Sequence, residues 1–292
     1  MKTNTYHIFT DALSDMPHRF SQEKDFTRIS YEITLNGEER LFDSFDDRSM
    51  DELYSELSSG APANTRALSL AEAIENLEQP LSAGKDVLCV TSNRFLSATS
   101  DQIEMACKML RRKYTYRKIG FISSFTTSTA LALFVSQAIL NRSNGMDIDE
   151  NIAQLSTIVD YTHHYMFIEN IKRLEAGGRA ALDEKRIIAP PYTLYILPVD
   201  GIHQIYGKYI SKKQVHEKIV ELISFHDITS SVFLGYASNK DEAQEVLKQI
   251  KSINSNLTIE LVRVGPISVT HTGCGVIHIA FIDRLHKRAT IS

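Results

Sequence analysis

Ser97, Thr99 and Ser100 stand together in TSNRFLSATS, directly after the apolar run DVLCV and at the mouth of an amphipathic helix. Hydroxyls and free backbone amides at a helix N-terminus favour a negatively charged group, because the aligned peptide dipoles leave partial positive charge there. Thr99 and Gln102 have capping-box spacing, so Thr99 is expected to cap the helix and Ser97 to stand in the loop before it. A second polar cluster is GPISVTHTGCG, residues 265–275, whose three glycines and proline predict an unusual backbone around His271. An imidazole framed by Thr270 and Thr272 suits donation to a carboxylate or phosphate. The competing reading makes Cys274 a nucleophile and His271 its base. In LEAGGRA, Gly177 and Gly178 read as a helix end and tight turn that project Arg179 toward a ligand or into a surface ion pair. GAPANTRALS supplies side-chain donors at Asn64 and Thr65 and a charge at Arg66. Each of these segments also has an ordinary structural use as a cap, a turn or a solvated charge.

Other chemistries lack their motifs. There is no G-x-x-x-x-G-K-[ST] phosphate loop and no G-x-S-x-G nucleophile elbow. His163 and His164 are adjacent, which is not the spacing of a metal pair on a helix face, and Asp11 and Asp15 fit turn chemistry. Cys89, Cys107 and Cys274 form neither a C-x-x-C pair nor a disulfide framework. No cofactor and no metal is therefore expected. The net charge of -4, with no basic stripe, argues against nucleic acid as a partner. The start MKTNTYHIFTDALSD lacks the apolar core of a signal peptide, and ALALFVSQAIL is too short and polar to span a bilayer. These features predict a reduced, cytoplasmic, soluble protein.

The elements that must position these residues alternate in the first half. TYHIFT, RISYEITLNGEE, DVLCVTS and KIGFIS read as strands. SMDELYSEL, SLAEAIENLEQPL, the segment after Ser97, TSTALALFVSQAILNR and DIDENIAQLSTIVDYTHH read as helices, with capping boxes at Ser49/Glu52 and Ser69/Glu72. Strands alternating with helices predict a mostly parallel sheet, which binds ligands at the carboxyl ends of its strands. The loops there are DALSDMP, TSNRFLSA and SSFTTS, all rich in hydroxyls and acids. From about residue 165 the chain becomes strand-rich, through YTLYILPV, GIHQIY, SSVFLGYA, LTIELVRV and GVIHIAFID, with two helical patterns between. The expectation is an N-terminal α/β domain over residues 1–164 and a second, strand-rich domain over 165–292.

Taken in order, five segments resemble the DegV family of bacterial fatty-acid-binding proteins that serve fatty acid kinase. They are TDALSDMP (10–17), PANTRA (62–67), LSAT (96–99), LEAGGR (174–179) and GPISVTHTGCG. The resemblance covers nearly the whole chain and implies the two-domain fold just described, with an α+β second domain and the ligand between the two. It implies a long-chain fatty acid in an apolar tunnel, its carboxylate held at the mouth and presented to a kinase that makes an acyl-phosphate, with peripheral membrane contact during ligand exchange. The family's head-group positions match Asn64 and Ser97, with Thr65 and Ala98 beside them; its histidine matches His271 and its arginine Arg179. Arg66 and Arg179 are then contacts for ligand or partner. The chain departs from the pattern at Asn64 (threonine in the family), at Arg66 and Ala67 (glutamine and proline), at Ala98 (glycine), at Ala12 (serine) and at Ser123-Ser124 (aspartate-serine). The family's I-K-P segment is not recognisable in YTLYILPVDG.

Burying roughly fourteen methylenes at about 0.8 kcal/mol each gives about 11 kcal/mol gross, much of it offset by association and ordering costs. The tail would supply strength and the head group aim. The alternatives are another anionic lipid or small acid, or a hydrolase using Ser97 or Cys274 with His271.

Overall fold

The apolar runs HIFT and VLCVT become the two central strands of a four-stranded parallel sheet. Its order is β2 (Phe26–Arg28), β1 (His7–Thr10), β6 (Val87–Thr91) and β7 (Ile119–Ser123). Every residue of β6 is buried, as continuous apolar strands covered on both faces require. The computed structural model describes residues 6–30, 32–42, 45–169, 173–174, 192–196 and 204–288. A smaller antiparallel sheet stands beside the first, in the order β4 (Glu38–Arg40), β3 (Ile33–Leu35), β5 (Ala63–Thr65). Its hairpin turns on Asn36 and Gly37, both at positive φ, the backbone a two-residue primed turn demands.

Helices follow the predicted pattern: α1 (Asp47–Ser58), α2 (Leu70–Ser82), α3 (Thr99–Lys113), α4 (Ser128–Ser143) and α5 (Ile148–Ile158). Ser69 and Glu72 make the expected capping box of α2. Three local readings are corrected. The cap of α1 is Asp46, whose carboxylate accepts from the Arg48 amide at 3.1 Å, and Ser49 lies inside the helix. RISYEITLNGEE is not one strand, because Arg28 ends β2 of the parallel sheet while Ile33–Leu35 pairs in the small one. The helix expected through His164 stops at Ile158, and Thr162–Ile168 is β8, buried along its whole length.

The second sheet has six strands in the order β10 (Gln204–Tyr209), β9 (Tyr192–Ile196), β8, β13 (Ile277–Ile282), β11 (Val232–Tyr236), β12 (Ile259–Arg263). Only β11 and β12 run parallel. Tyr165 and Phe167 of β8 join the core under α6 (Lys212–Phe225) and α7 (Lys240–Ile253), while Met166 and Ile168 join the core shared with α4. That is the two-residue period of a strand covered on both faces. α4 touches β1 and β6 of the first sheet and β8, β11 and β13 of the second. Ser128 through Val135 are accordingly buried without a break. The fold is thus mixed α/β, a parallel four-stranded unit followed by a second sheet with its own helices, as expected from the pattern of elements. No helix among the described residues is long and apolar enough to cross a membrane.

At Gly235 the second sheet approaches α4 closely. A Cβ there would lie 2.7 Å from Thr129 Oγ1 and 2.8 Å from His278 Cβ. Gly235→Ala is expected to cost about 1–3 kcal/mol through overpacking, read as a lower urea midpoint with an unchanged slope. An unaltered midpoint would mean that the junction is looser than drawn.

Candidate functional site

Three loops at the carboxyl ends of the parallel strands converge on one cavity of about 170 Å³. The loop after β1 contributes Leu13; the loop after β6 contributes Leu96, Ser97 and Ala98; the loop after β7 contributes Thr127 and Ser128. β1 lies between β2 and β6, so the chain leaves it in opposite directions and opens a crevice there. The opposite wall comes from α8 (Pro266–Thr272), β5, β8 and β13.

GPISVTHTGCG is therefore not an irregular loop. Pro266 sits in the first turn, where its missing N–H costs nothing, and Gly273 at φ 81° ends the helix. Ile267, Ser268, His271 and Thr272 all line the cavity, the i, i+1, i+4, i+5 set that one helix face presents. His271 Nε2 lies 2.9 Å from Thr65 Oγ1, joining residues 206 apart in sequence. Thr65 alternates inward on β5 and Asn64 outward: Asn64 is exposed and is not part of the cavity wall. The side chain next to the imidazole is thus one residue later than the motif match placed it.

The helix mouth also differs from expectation. Thr99 is the first residue of α3, and its hydroxyl accepts from the Leu68 amide at 3.1 Å. Ser97 Oγ accepts from the Thr99 amide at 3.3 Å and donates to Thr99 Oγ1 at 3.0 Å, so Ser97 braces the helix mouth as well as lining the cavity, while Ala98 holds the N-cap position with no side-chain cap. Ala98 has φ −63° and ψ −12°, ordinary helical backbone that alanine adopts as readily as glycine. Arg66 stands at the rim, paired with Glu72 through two hydrogen bonds of 2.7 and 2.9 Å. That guanidinium is the main reason the Glu72 carboxyl is held down to about 2. Arg179 lies outside the described residues, as does all of LEAGGR after Leu174, which lines the cavity.

Residues that sequence reasoning passed over form the floor. The Ser128 hydroxyl donates to Asp15 and stands 2.8 Å from His278 Nδ1; Ser268 donates to the other Asp15 oxygen at 3.2 Å. Burial pushes the Asp15 carboxyl up to about 6, against the pull of the Ser128 and Gly265 donors. Ser128 holds φ +54°, a left-handed backbone rare outside glycine, fixed by its amide donating to the Leu13 carbonyl at 2.7 Å. His278, fully buried in an apolar strand, was the visible signal. Asp11 makes the predicted turn, accepting from the Leu13 and Ser92 amides at 2.9 and 2.8 Å. The order Asp15–Ser128–His278 puts the hydroxyl in the middle. In a nucleophile triad the imidazole stands between hydroxyl and carboxylate. The Cys274 thiol points to the Tyr54 carbonyl at 3.5 Å, and burial raises it above the ordinary thiol value.

Comparison with known proteins gives one consistent answer. The family model described as "Uncharacterised protein, DegV family" matches residues 5–284. A DegV domain-containing protein of Lactococcus lactis is 22% identical over 288 residues, covering 96% of this chain and 98% of its own. A stearic-acid-binding protein of Eubacterium ventriosum superposes with a TM-score of 0.85 at 18% identity, over 96% of this chain and 98% of that one. A DegV family protein of Eubacterium eligens loaded with heptadecanoic acid gives 0.83 at 14% identity, over 96% and 100%.

Proposed function

This chain belongs to the DegV family, and from that premise we propose that it binds a long-chain fatty acid without transforming it. Thr65, Ser97 and His271 hold the carboxylate, with Ala98 against it and Arg66 at the rim. The acyl chain runs from this seat past Leu13, Leu96, Met166, Leu174 and Ile267, all on the cavity wall. Asn64 stays at the surface beside the seat. A carboxylate entering an apolar channel needs donors, since an unpaired buried charge is costly. The observation that carries the reading is the meeting of Ser97, Thr65 and His271 on one cavity, with Thr65 and His271 2.9 Å apart. The bound acid is presented to a fatty acid kinase for acyl-phosphate formation, Arg66 facing that partner, and ligand is exchanged at the membrane surface from the cytoplasm. The two lobes, residues 1–164 and 165–292, both contribute to the cavity wall.

Mass spectrometry of an organic extract from the purified protein tests the ligand class. A fatty acid at close to one per chain is expected. An empty extract, together with no binding of added oleate or palmitate, would overturn the reading. A second reading, a shorter acid or another anionic lipid, draws on the polar floor of Ser128, Ser268 and His278. Competition between oleate and phosphorylated or short-chain acids separates the two.

A further inference from the structure

Outside the cavity, imidazoles and a carboxylate meet where β8, the end of α6 and the turn after β13 come together. The Asp283 carboxylate is fixed on one side by the Leu285 amide, which donates to Oδ1 at 2.7 Å. Its Oδ2 accepts from His226 Nδ1 and, at 2.9 Å, from His286 Nδ1. His163 Nε2 lies 2.9 Å from the His286 carbonyl oxygen, which can only accept, so Nε2 holds the proton and Nδ1 the lone pair. His226 gives its Nδ1 proton to Asp283 and keeps a lone pair on Nε2. The Tyr165 hydroxyl stands between these two nitrogens, 3.4 Å from His163 Nδ1 and 3.1 Å from His226 Nε2.

The donor count does not close. Burial disfavours a charged imidazole, and two neutral rings present two lone pairs to one hydroxyl proton. The Tyr165 proton serves the nearer of them, His226 Nε2, and leaves His163 Nδ1 open to a cation. One ligand atom each from His163, His226 and Asp283 lies within 4.8 Å of the others. We propose that His163, His226 and Asp283 bind a divalent transition-metal ion, with zinc as the cation that two imidazoles and a carboxylate suit. The ion takes the place of the proton between His226 Nδ1 and Asp283 and shifts that proton to His226 Nε2, where the Tyr165 oxygen accepts it. The surroundings fit that use. A ligating histidine commonly donates its second N–H to a backbone carbonyl, as His163 does. Phe281 stacks on the His163 ring at 5.3 Å and holds its plane. The side chains of His163, His226 and Asp283 are all buried, while the His286 side chain beside them is 42% exposed, which gives an entry path.

The role is structural. The ion would join β8, the end of α6 and the C-terminal segment after β13 at one point. Arg288 in that segment donates to the Phe125 carbonyl at 2.8 Å, in the loop that carries Thr127 and Ser128 to the acid cavity. A proton on His226 would close the same network, so proton and metal compete for the place.

The test uses the full chain, stripped with chelator and titrated with zinc chloride at about pH 8. One ion per chain at micromolar affinity or better is expected, with a melting point higher by about 3 °C or more. His226→Gln and His163→Gln should each weaken binding about tenfold or more. Zinc should also protect His163 and His226 from diethyl pyrocarbonate in the unmutated chain, read by peptide mass, which settles the matter if a variant fails to fold. No saturable binding, equal affinity in the variants, or unprotected histidines would each overturn the proposal.

Discussion

Removing two of the three head-group donors, in Ser97→Ala/His271→Ala, is expected to weaken oleate binding about a hundredfold. A hydrogen bond to a charged group contributes about 1.5–3 kcal/mol. Losing two while Thr65 stays in place costs about 3 kcal/mol, or two decades in Kd. Displacement of a fluorescent fatty acid by oleate measures it. Asn64→Ala is the control, because Asn64 faces away from the cavity, and its affinity should stay within about twofold. A series of acids sharpens the result. Each added methylene should tighten binding about fourfold, equally in the parent and the double variant, because tail and head act at separate places. A double variant within about threefold of the parent would move the carboxylate elsewhere. A full loss in Asn64→Ala would restore the seat that motif matching first assigned.

Asp15→Asn should stabilise the protein above pH 6 by about 2–3 kcal/mol and leave it nearly unchanged below pH 4. The sign follows from the carboxyl's two environments. Unfolded it titrates at 3.8; folded, burial raises it to about 6. The native state therefore holds a proton that the unfolded state has released across that window. The stability that Asp15 gives as an acid is fully present below about pH 3.8 and is lost as pH rises through about 6. Roughly two decades of proton affinity correspond to about 3 kcal/mol, which an amide escapes because it carries no charge. Asparagine still accepts from Ser268 and can donate to Ser128, so the floor keeps its hydrogen bonds. Urea unfolding of both proteins from pH 4 to 8 gives the test. Parallel stability curves would show that Asp15 is not titrating where burial places it.

Much of the architecture was legible because its signals are local. Continuous apolar runs marked β1 and β6, and Ser69 with Glu72 marked the start of α2. The misread positions are those where distant pairing decides. Whether Asn64 or Thr65 faces inward is set by β5 lying antiparallel to β3, with Ile33 opposite Thr65, and a three-residue strand carries too little pattern to reveal its own facing. Similarly, THHYMFI becomes a strand because β13 and β9 flank it, although the preceding helical period runs smoothly into it. The glycines and proline around His271 were read as an unusual backbone; Gly265, Pro266 and Gly273 are the two ends and first turn of a short helix. The floor was hidden for another reason. Asp15, Ser128, Ser268 and His278 come from four separate segments, and nothing in any one of them announces the others. His163 was set aside beside His164 on an assumed helix; on a strand, neighbours face opposite ways, and its companions are 63 and 120 residues further on.

Since α4 belongs to both sheets at once, the cavity has no hinge. Rocking one lobe away from the other would tear a helix, buried without a break from Ser128 to Val135, from one of its two beds. The door for an incoming acid must instead be the short segments at the rim, around Leu96 and Arg66. Heating should then melt both sheets in a single step, with the slowest-exchanging amides clustered along the shared helix.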